Sequence, residues 1–221
     1  VLKIVRKILK KNPSKKVYYG KDFKILKHKK NYIFKDKKGE LSLKANQIHS
    51  EGLWEGVALA VKIARDLGIN NKVILKALPK ISMKGRIEYI YKGNLRKYLN
   101  RSETLIIDGA HSIKSALNLK NHLSKIRQPL YGIFGIQNNR SPNLFIKQFR
   151  GMFKKIITVT IPKTPNSMPA EKLNKICKKN NFNSENASNI LKAIKKISSR
   201  DKKTIVIFGS LYLASSFLKK N

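Results

Sequence analysis

TLIIDGAHSIKSALNLKNHL, residues 104 to 123, decides the fold. Leu105, Ile106 and Ile107 run without a polar break, and the chain then turns through Asp108, Gly109 and Ala110 to His111. Beyond the turn Ala116, Leu119, Leu123 and Ile126 recur at spacings of three and four, the stripe of a helix with one buried face. A strand without polar alternation is buried on both faces, as in a parallel sheet covered by helices. The turn itself has two readings. Asp108 can be a carboxylate that caps the helix or the turn, with His111 steadying the same junction. Alternatively, the pair can face a ligand beyond the strand end. Taken alone, the turn favours the capping reading.

The same rhythm continues outward. RIEYIYKG, LYGIFGI, KIITVTI and TIVIFGS are short runs rich in Ile, Val, Phe or Tyr. Between and after them come helical stretches near SPNLFIKQFRGMF, PAEKLNKICKKN, SENASNILKAIKKISS and SLYLASSFLKK. This alternation predicts an α/β domain, Rossmann-like with a mostly parallel sheet, over residues 84–221, with its boundary near Ser82 to Gly85. Residues 1–83 read differently. VYYGKDFKILKHKKNYIFKDKKGELSLKA predicts meandering strands. Leu53, Val57, Ala60, Val61, Ala64 and Leu67 predict a helix stopped by Gly68, and NNKVILKALPKI a shorter one closed near Pro79. The sheet that these helices should cover is expected to be largely missing. The chain opens on Val1 and has no methionine before Met83, so it reads as the C-terminal part of a longer protein.

A hydrophobic content of 41% supports a real core and excludes global disorder. The formal net charge of +37 suggests nucleic acid at first sight. The lysines, however, occur in nearly every segment, and nine arginines stand against forty lysines. Lys, Asn and Ile are residues of AT-rich codons, so base composition explains the charge better than a selected nucleic-acid surface. Weak, salt-sensitive polyanion attraction remains expected. No apolar run reaches the ~18 residues of a membrane span, and no signal-peptide cleavage site is visible. The lone Cys177 fits a reducing cytoplasm and carries no functional expectation.

In open α/β sheets ligands bind beyond the carboxyl ends of the strands. The residues there are Asp108 to His111, Gln137 to Arg140, Pro162 to Thr164 and Ser210 to Tyr212. Neither GxGxxG nor GxxxxGK[ST] occurs, no His/Cys group has metal-ligand spacing, and no Ser/His/Asp set can be assembled.

Three motifs in order narrow the reading: KGRIEYI, LIIDGAH and IVIFGSLYLA. Together they resemble the C-terminal half of the folylpolyglutamate synthase/dihydrofolate synthase family of the Mur ligase superfamily, whose pattern is Pro-Gly-Arg, Asp-Gly-Ala-His-Asn and Gly-Ser-Leu-Tyr-Leu. VTIPKTPNSMPAEKL resembles a stretch of bacterial members, and NQIHSEGLWEGVALAVKIA resembles the His-Gln-x-x-Asn helix start of the central domain. The resemblance implies a Mur ligase C-terminal domain at 84–221 and, at 1–83, the remnant of a central ATP-binding domain. It implies an ATP-dependent amide ligase that adds L-glutamate to dihydropteroate or a folate through an acyl phosphate. It implies ATP and Mg as cofactors, with the Gly-rich loop and metal ligands upstream of Val1, and hence a chain that is inactive alone. The nucleotide-binding residues it implies are Arg86, Asp108, His111, Asn46 and Ser50; Ser210 and Tyr212 are substrate-side candidates. The implied partners are small molecules, with no specific nucleic acid and no membrane, on a monomer. Departures from the pattern are Lys84 for Pro, Ser50 for Asn, Ser112 and Ile113 for Asn-Pro, and Asn138, Asn139 and Arg140 for a Lys-Asp pair. Another Mur-type peptide ligase, or a stand-alone basic polyanion-binding module without catalysis, are the alternative readings.

Overall fold

The computed structural model describes residues 2–28, 31–45 and 47–221, which divide into two compact units, Val1–Ile81 and Ser82–Asn221. The first unit opens with α1 (Leu2–Lys11). Strands β1 (Phe23–His28), β2 (Asn31–Asp36) and β3 (Gly39–Leu43) then form an antiparallel sheet in that order. Helices α2 (Glu51–Asp66) and α3 (Asn71–Ala77) follow. Phe23, Phe34, Leu41 and Leu43 of the sheet share a core with Trp54, Val57, Ala58 and Val61 of α2 and Ile74 of α3. The helix therefore covers the small sheet that the strand meander predicted, while Leu59, Ile63 and Leu67 of its other side and Val73 of α3 stay exposed.

Of the expected α2 stripe, Leu53, Val57, Val61 and Ala64 meet the core, while Ala60 and Leu67 do not. Leu67 is 75 % exposed and Ala60 is exposed, while Lys62 and Arg65 are buried. The cause is Asp36, at the end of β2, whose side chain is 0 % exposed. Arg65 donates from its guanidinium to Asp36 Oδ1 at 2.6 Å, to the Gly39 carbonyl at 2.9 Å and to Asn71 Oδ1 at 3.0 Å. Lys62 Nζ lies 3.7 Å from Asp36 Oδ2 and also pairs with Asp66. Hydrophobic periodicity cannot register a face that turns inward to satisfy a buried carboxylate.

The second unit contains β4 (Glu88–Tyr89), β5 (Glu103–Asp108), α4 (Ile113–Leu123), β6 (Leu130–Phe134) and α5 (Pro142–Lys147). It continues with β7 (Phe153–Val159), α6 (Ala170–Lys179), β8 (Ser184–Ala187), α7 (Ile190–Ile197), β9 (Lys203–Phe208) and α8 (Leu211–Leu218). Its sheet has the order β4-β5-β9-β6-β7-β8, with β4 antiparallel and the other pairings parallel. Successive residues feed opposite layers. Ile106, Phe134, Val206 and Phe208 pack with α4, α5 and α6; Leu105, Ile107, Ile205 and Ile207 pack with α7 and α8. In the first layer Phe208 meets Phe134, Phe149 and Phe153 at ring separations of 5.0, 5.2 and 5.1 Å.

Two sequence readings change. SENA, taken with the following helix, is the edge strand β8, and the helix begins only after Asn189, whose side chain accepts from Lys192 N–H at 2.9 Å. Of RIEYIYKG, just Glu88 and Tyr89 pair as a strand. Among the described residues no helix is long and apolar enough to cross a membrane.

Replacing Asp36 by Ala should leave the buried Arg65 without its counter-charge and cost about 3–5 kcal/mol. Trp54, the single tryptophan and 3 % exposed, reports on this unit. A urea transition followed by its fluorescence should shift to much lower denaturant; an unmoved midpoint would contradict the role given to the network.

Candidate functional site

The chain reaches β6 from β5 by stepping over the place that β9 later fills. The carboxyl ends of these three parallel strands therefore lie side by side, and each runs into a polar turn. At the end of β5, Asp108 is 6 % exposed. Its Oδ1 accepts from the Ala110 N–H at 2.7 Å, and its Oδ2 from the Ile87 N–H at 2.9 Å. Beside it, the Gly109 N–H donates to the Gly85 carbonyl at 2.7 Å. These bonds clamp the segment Gly85–Arg86–Ile87 onto the strand end.

That segment needs holding. Ile87 has φ of 48°, a region that β-branched residues avoid, at a cost of order 1–3 kcal/mol. Its side chain is 1 % exposed, so burial and the Asp108 bond together sustain the conformation. Arg86 sits between the two pinned residues, partly exposed, and its guanidinium makes no hydrogen bond or ion pair among the described residues.

The helix-capping reading of Asp108 is corrected. Ser112 is the N-cap of α4, and Ser115 closes a reciprocal capping box with it. His111 precedes the cap. Its Nδ1 lies 2.8 Å from the Gly109 carbonyl, which can only accept, so Nδ1 is the donor of that bond. The ring lines a cleft of about 470 Å³ together with Gln137, Arg140, Ser210, Leu211 and Tyr212. Ser210 is 2 % exposed and caps α8, its Oγ accepting from the Tyr212 N–H at 3.1 Å. Tyr212 is 59 % exposed at the rim. The β5 and β9 turns touch so closely that a Cβ on Gly109 would lie 2.2 Å from Leu211 Cδ2, so the glycine is required by space.

Arg86, Asp108, His111, Ser210 and Tyr212 thus gather at neighbouring strand ends of the second unit. Ser50 belongs to the first unit, where it precedes α2 with its side chain making no cap bond. Asn46 lies outside the described residues. Sequence reasoning missed Ile87 as part of the arrangement; it placed Arg140 and Leu211 just beyond their strand ends without giving them a role. The positive φ of Ile87 leaves no compositional trace, although the neighbouring Gly85 was a hint.

These residues do not fit Mg. Asp108 has both oxygens engaged by N–H donors, and no group of three or more His, Cys, Asp or Glu that could hold a metal exists among the described residues. Cys177 is buried, and burial pushes its thiol up to about 12, so it is unreactive. What the cleft offers is a cationic and hydrogen-bonding rim: Arg140, the His111 ring and the Tyr212 hydroxyl.

Burial lifts the Asp108 carboxyl to about 6, against the opposing pull of the Ala110 and Ile87 N–H bonds, the Arg86 charge and the His111 ring. Its folded value exceeds the unfolded one, so between about pH 4 and 6 the folded chain holds a proton that the unfolded chain has released. Its contribution to stability is therefore fully present below that window and falls as pH rises through it, by up to about 3 kcal/mol. Carboxyl-carbon NMR should give a midpoint near 6, and the stability of the wild type relative to Asp108→Asn should decline across the window. A midpoint near 4 would contradict the burial argument.

The sequence profile of the dihydrofolate synthetase C-terminal domain matches residues 91–220. No curated protein matches the chain. Solved structures do. A folylpolyglutamate synthase from Thermotoga maritima superposes with a TM-score of 0.77 at 22% identity, covering 99% of this chain and 50% of that one. The Mycobacterium tuberculosis folylpolyglutamate synthase, solved with ADP and AMPPCP, gives 0.76 at 16% identity, covering 92% and 48%. The bifunctional folylpolyglutamate synthase/dihydrofolate synthase from Yersinia pestis, solved with AMPPNP and a Mn ion, gives 0.80 at 14% identity, covering 98% and 50%. At these identities the likeness establishes the fold, and the chain spans about half the length of the proteins it matches.

Proposed function

This chain belongs to the dihydrofolate synthetase C-terminal-domain family, and on that premise we propose that it forms part of an ATP-dependent ligase joining L-glutamate to dihydropteroate or a folate. The second unit is the Mur-type C-terminal domain, and residues 1–83 are the end of a central ATP-binding domain. The observation that carries the reading is the clamp: Asp108 holds a strained loop so that Arg86 is presented, unpaired, at the end of β5, the strand whose turn also leads to His111 and its cleft.

The chemistry such a site serves has two steps. A carboxylate oxygen of the pterin substrate attacks the γ-phosphorus of ATP, the bond to the bridging oxygen breaks, and ADP departs. The glutamate amine then attacks the acyl-phosphate carbon, inorganic phosphate leaves, and the amine gives up a proton as the amide forms. Arg86 is positioned to offset charge on the nucleotide phosphates, where a desolvated cation is worth most. His111, anchored through Nδ1, offers its Nε2 to the ribose or the incoming amine. Ser210 retains a hydroxyl proton to donate while its lone pair caps α8, and Tyr212 offers its hydroxyl at the rim. Asp108 acts through Arg86 as a positioning residue. On the first unit, Asn46 and Ser50 remain nucleotide-side candidates. Magnesium ligands belong elsewhere in the ligase, and a cytoplasmic monomer is the setting that suits soluble substrates of this kind.

The test uses the longest polypeptide that carries this chain, assayed for ATP-dependent joining of glutamate to dihydropteroate. Arg86→Ala should lower kcat/KM by about 100-fold or more, the loss of a phosphate-directed cation, with an unchanged melting temperature. His111→Ala should also lower it. Wild-type activity in both variants, or a preference for a cell-wall peptide acceptor, would contradict the assignment.

A further inference from the structure

We propose that the first unit carries a separate anion site, a lysine-lined cleft that takes a short phosphate chain. The cleft measures about 420 Å³ and is bounded by the segment from Lys15 to Lys24, the end of β2 and one residue of α2, Lys62. It shares no residue with the cleft around His111.

The charges on its wall divide into those already neutralised and those left over. Lys62 is engaged by Asp36 and Asp66, and Lys35 pairs with Glu40. Asp36 is in turn consumed by Arg65, so neither acid-bearing pair adds net charge to the cleft. Lys15, Lys16, Lys21, Lys24 and Lys37 also line it, and none of them forms an ion pair among the described residues. Asp22 is the other acid on the wall. Its Oδ2 accepts from the Tyr18 N–H at 2.7 Å, which ties the loop that presents Lys21.

The frame beneath Lys21, Lys24 and Lys37 is fixed. The Gly20 N–H donates to the Phe23 carbonyl at 2.7 Å, closing a turn in which Gly20 has φ of 86°. On the opposite wall Asp36 Oδ1 accepts from the Lys38 N–H at 2.8 Å and from Arg65, so the stem of the turn holding Lys37 is anchored by a buried ion network. Like charges on a fixed concave wall repel one another, and a multivalent anion is the ligand that relieves several of them at once.

Shape and residue type select the class. Lys15, Lys16, Lys21, Lys24 and Lys37 converge on one concavity, which suits a compact anion better than a long duplex. Lysine is a point charge without the planar fork that reads bases or carboxylates, so recognition here is of phosphate charge rather than of a base. Pyrophosphate or tripolyphosphate, free or as the tail of a nucleotide, meets that description.

Calorimetric titration of the 221-residue chain with sodium tripolyphosphate, in about 0.15 M NaCl so that diffuse attraction is screened, tests this directly. The expected result is saturable binding of one equivalent. Lys16→Gln/Lys21→Gln/Lys37→Gln should weaken it about tenfold or more, because several phosphate contacts are lost together. Lys147→Gln/Lys172→Gln/Lys178→Gln, which removes the same charge from the second unit, should leave it unchanged. All six lysines are exposed, and Trp54 emission checks that the first unit, which carries the site, stays folded in each variant. ATP competing with tripolyphosphate identifies a nucleotide tail as a source, and ATP failing to compete identifies free inorganic chains; either supports the site. Equal weakening in both triple variants, no saturable binding, or a single-stranded oligonucleotide that saturates without being displaced by tripolyphosphate would overturn it.

Discussion

A single carboxylate joins the parts of the candidate site. Asp108 accepts from the Ala110 N–H, which shapes the turn out of β5, and from the Ile87 N–H, which belongs to a segment 21 residues earlier in the chain. One local bond and one distant bond on the same group couple the strand end to the loop that bears Arg86. The coupling extends further because Gly109 lies too close to Leu211 to carry a side chain, so the β5 turn also fixes the start of α8 and with it Ser210 and Tyr212. Had Asp108 merely capped α4, none of these links would follow. Ser112 and Ser115 do that capping instead, and the carboxylate is released for the longer-range task.

Burying a carboxylate is costly, and the two backbone bonds offset that cost only in part, since the group still titrates near 6. The same logic operates in the first unit, where Asp36 is enclosed and answered by Arg65 and Lys62. In both units a buried acid fixes a turn, and in both the turn presents a basic residue: Arg86 in one, Lys37 in the other.

Much of the fold was legible in the sequence because parallel strands buried on both faces leave an unmistakable mark. LIID, GIF, IITV and TIVIF are all strands, and Ala116, Leu119 and Leu123 do face the core. What escaped was governed by partners rather than by pattern. β8 is Ser-Glu-Asn-Ala, an edge strand that needs no apolar run because just one neighbour pairs with it. The stripe on α2 held at Leu53, Val57, Val61 and Ala64 but missed Lys62 and Arg65, which are buried by charge and which a hydrophobic period treats as solvent-facing. At the site, Arg86, Asp108, His111, Ser210 and Tyr212 were identified through their resemblance to a known pattern. Their geometry was not: no rule of local sequence states that Asp108 will reach back to Ile87, or that Ser210 will spend a lone pair on its own helix.

The account stands on the bond from Ile87 to Asp108, and amide hydrogen exchange measures that bond most directly. In the wild type the Ile87 N–H should exchange slowly, at a rate comparable with amides in β5. In Asp108→Ala it should lose its protection, together with the N–H of Ala110, while amides within β9 and β6 keep theirs. If the Ile87 amide exchanged freely in the wild type, or stayed protected without the carboxylate, the loop bearing Arg86 would be held by something else and the clamp would not be the basis of the site.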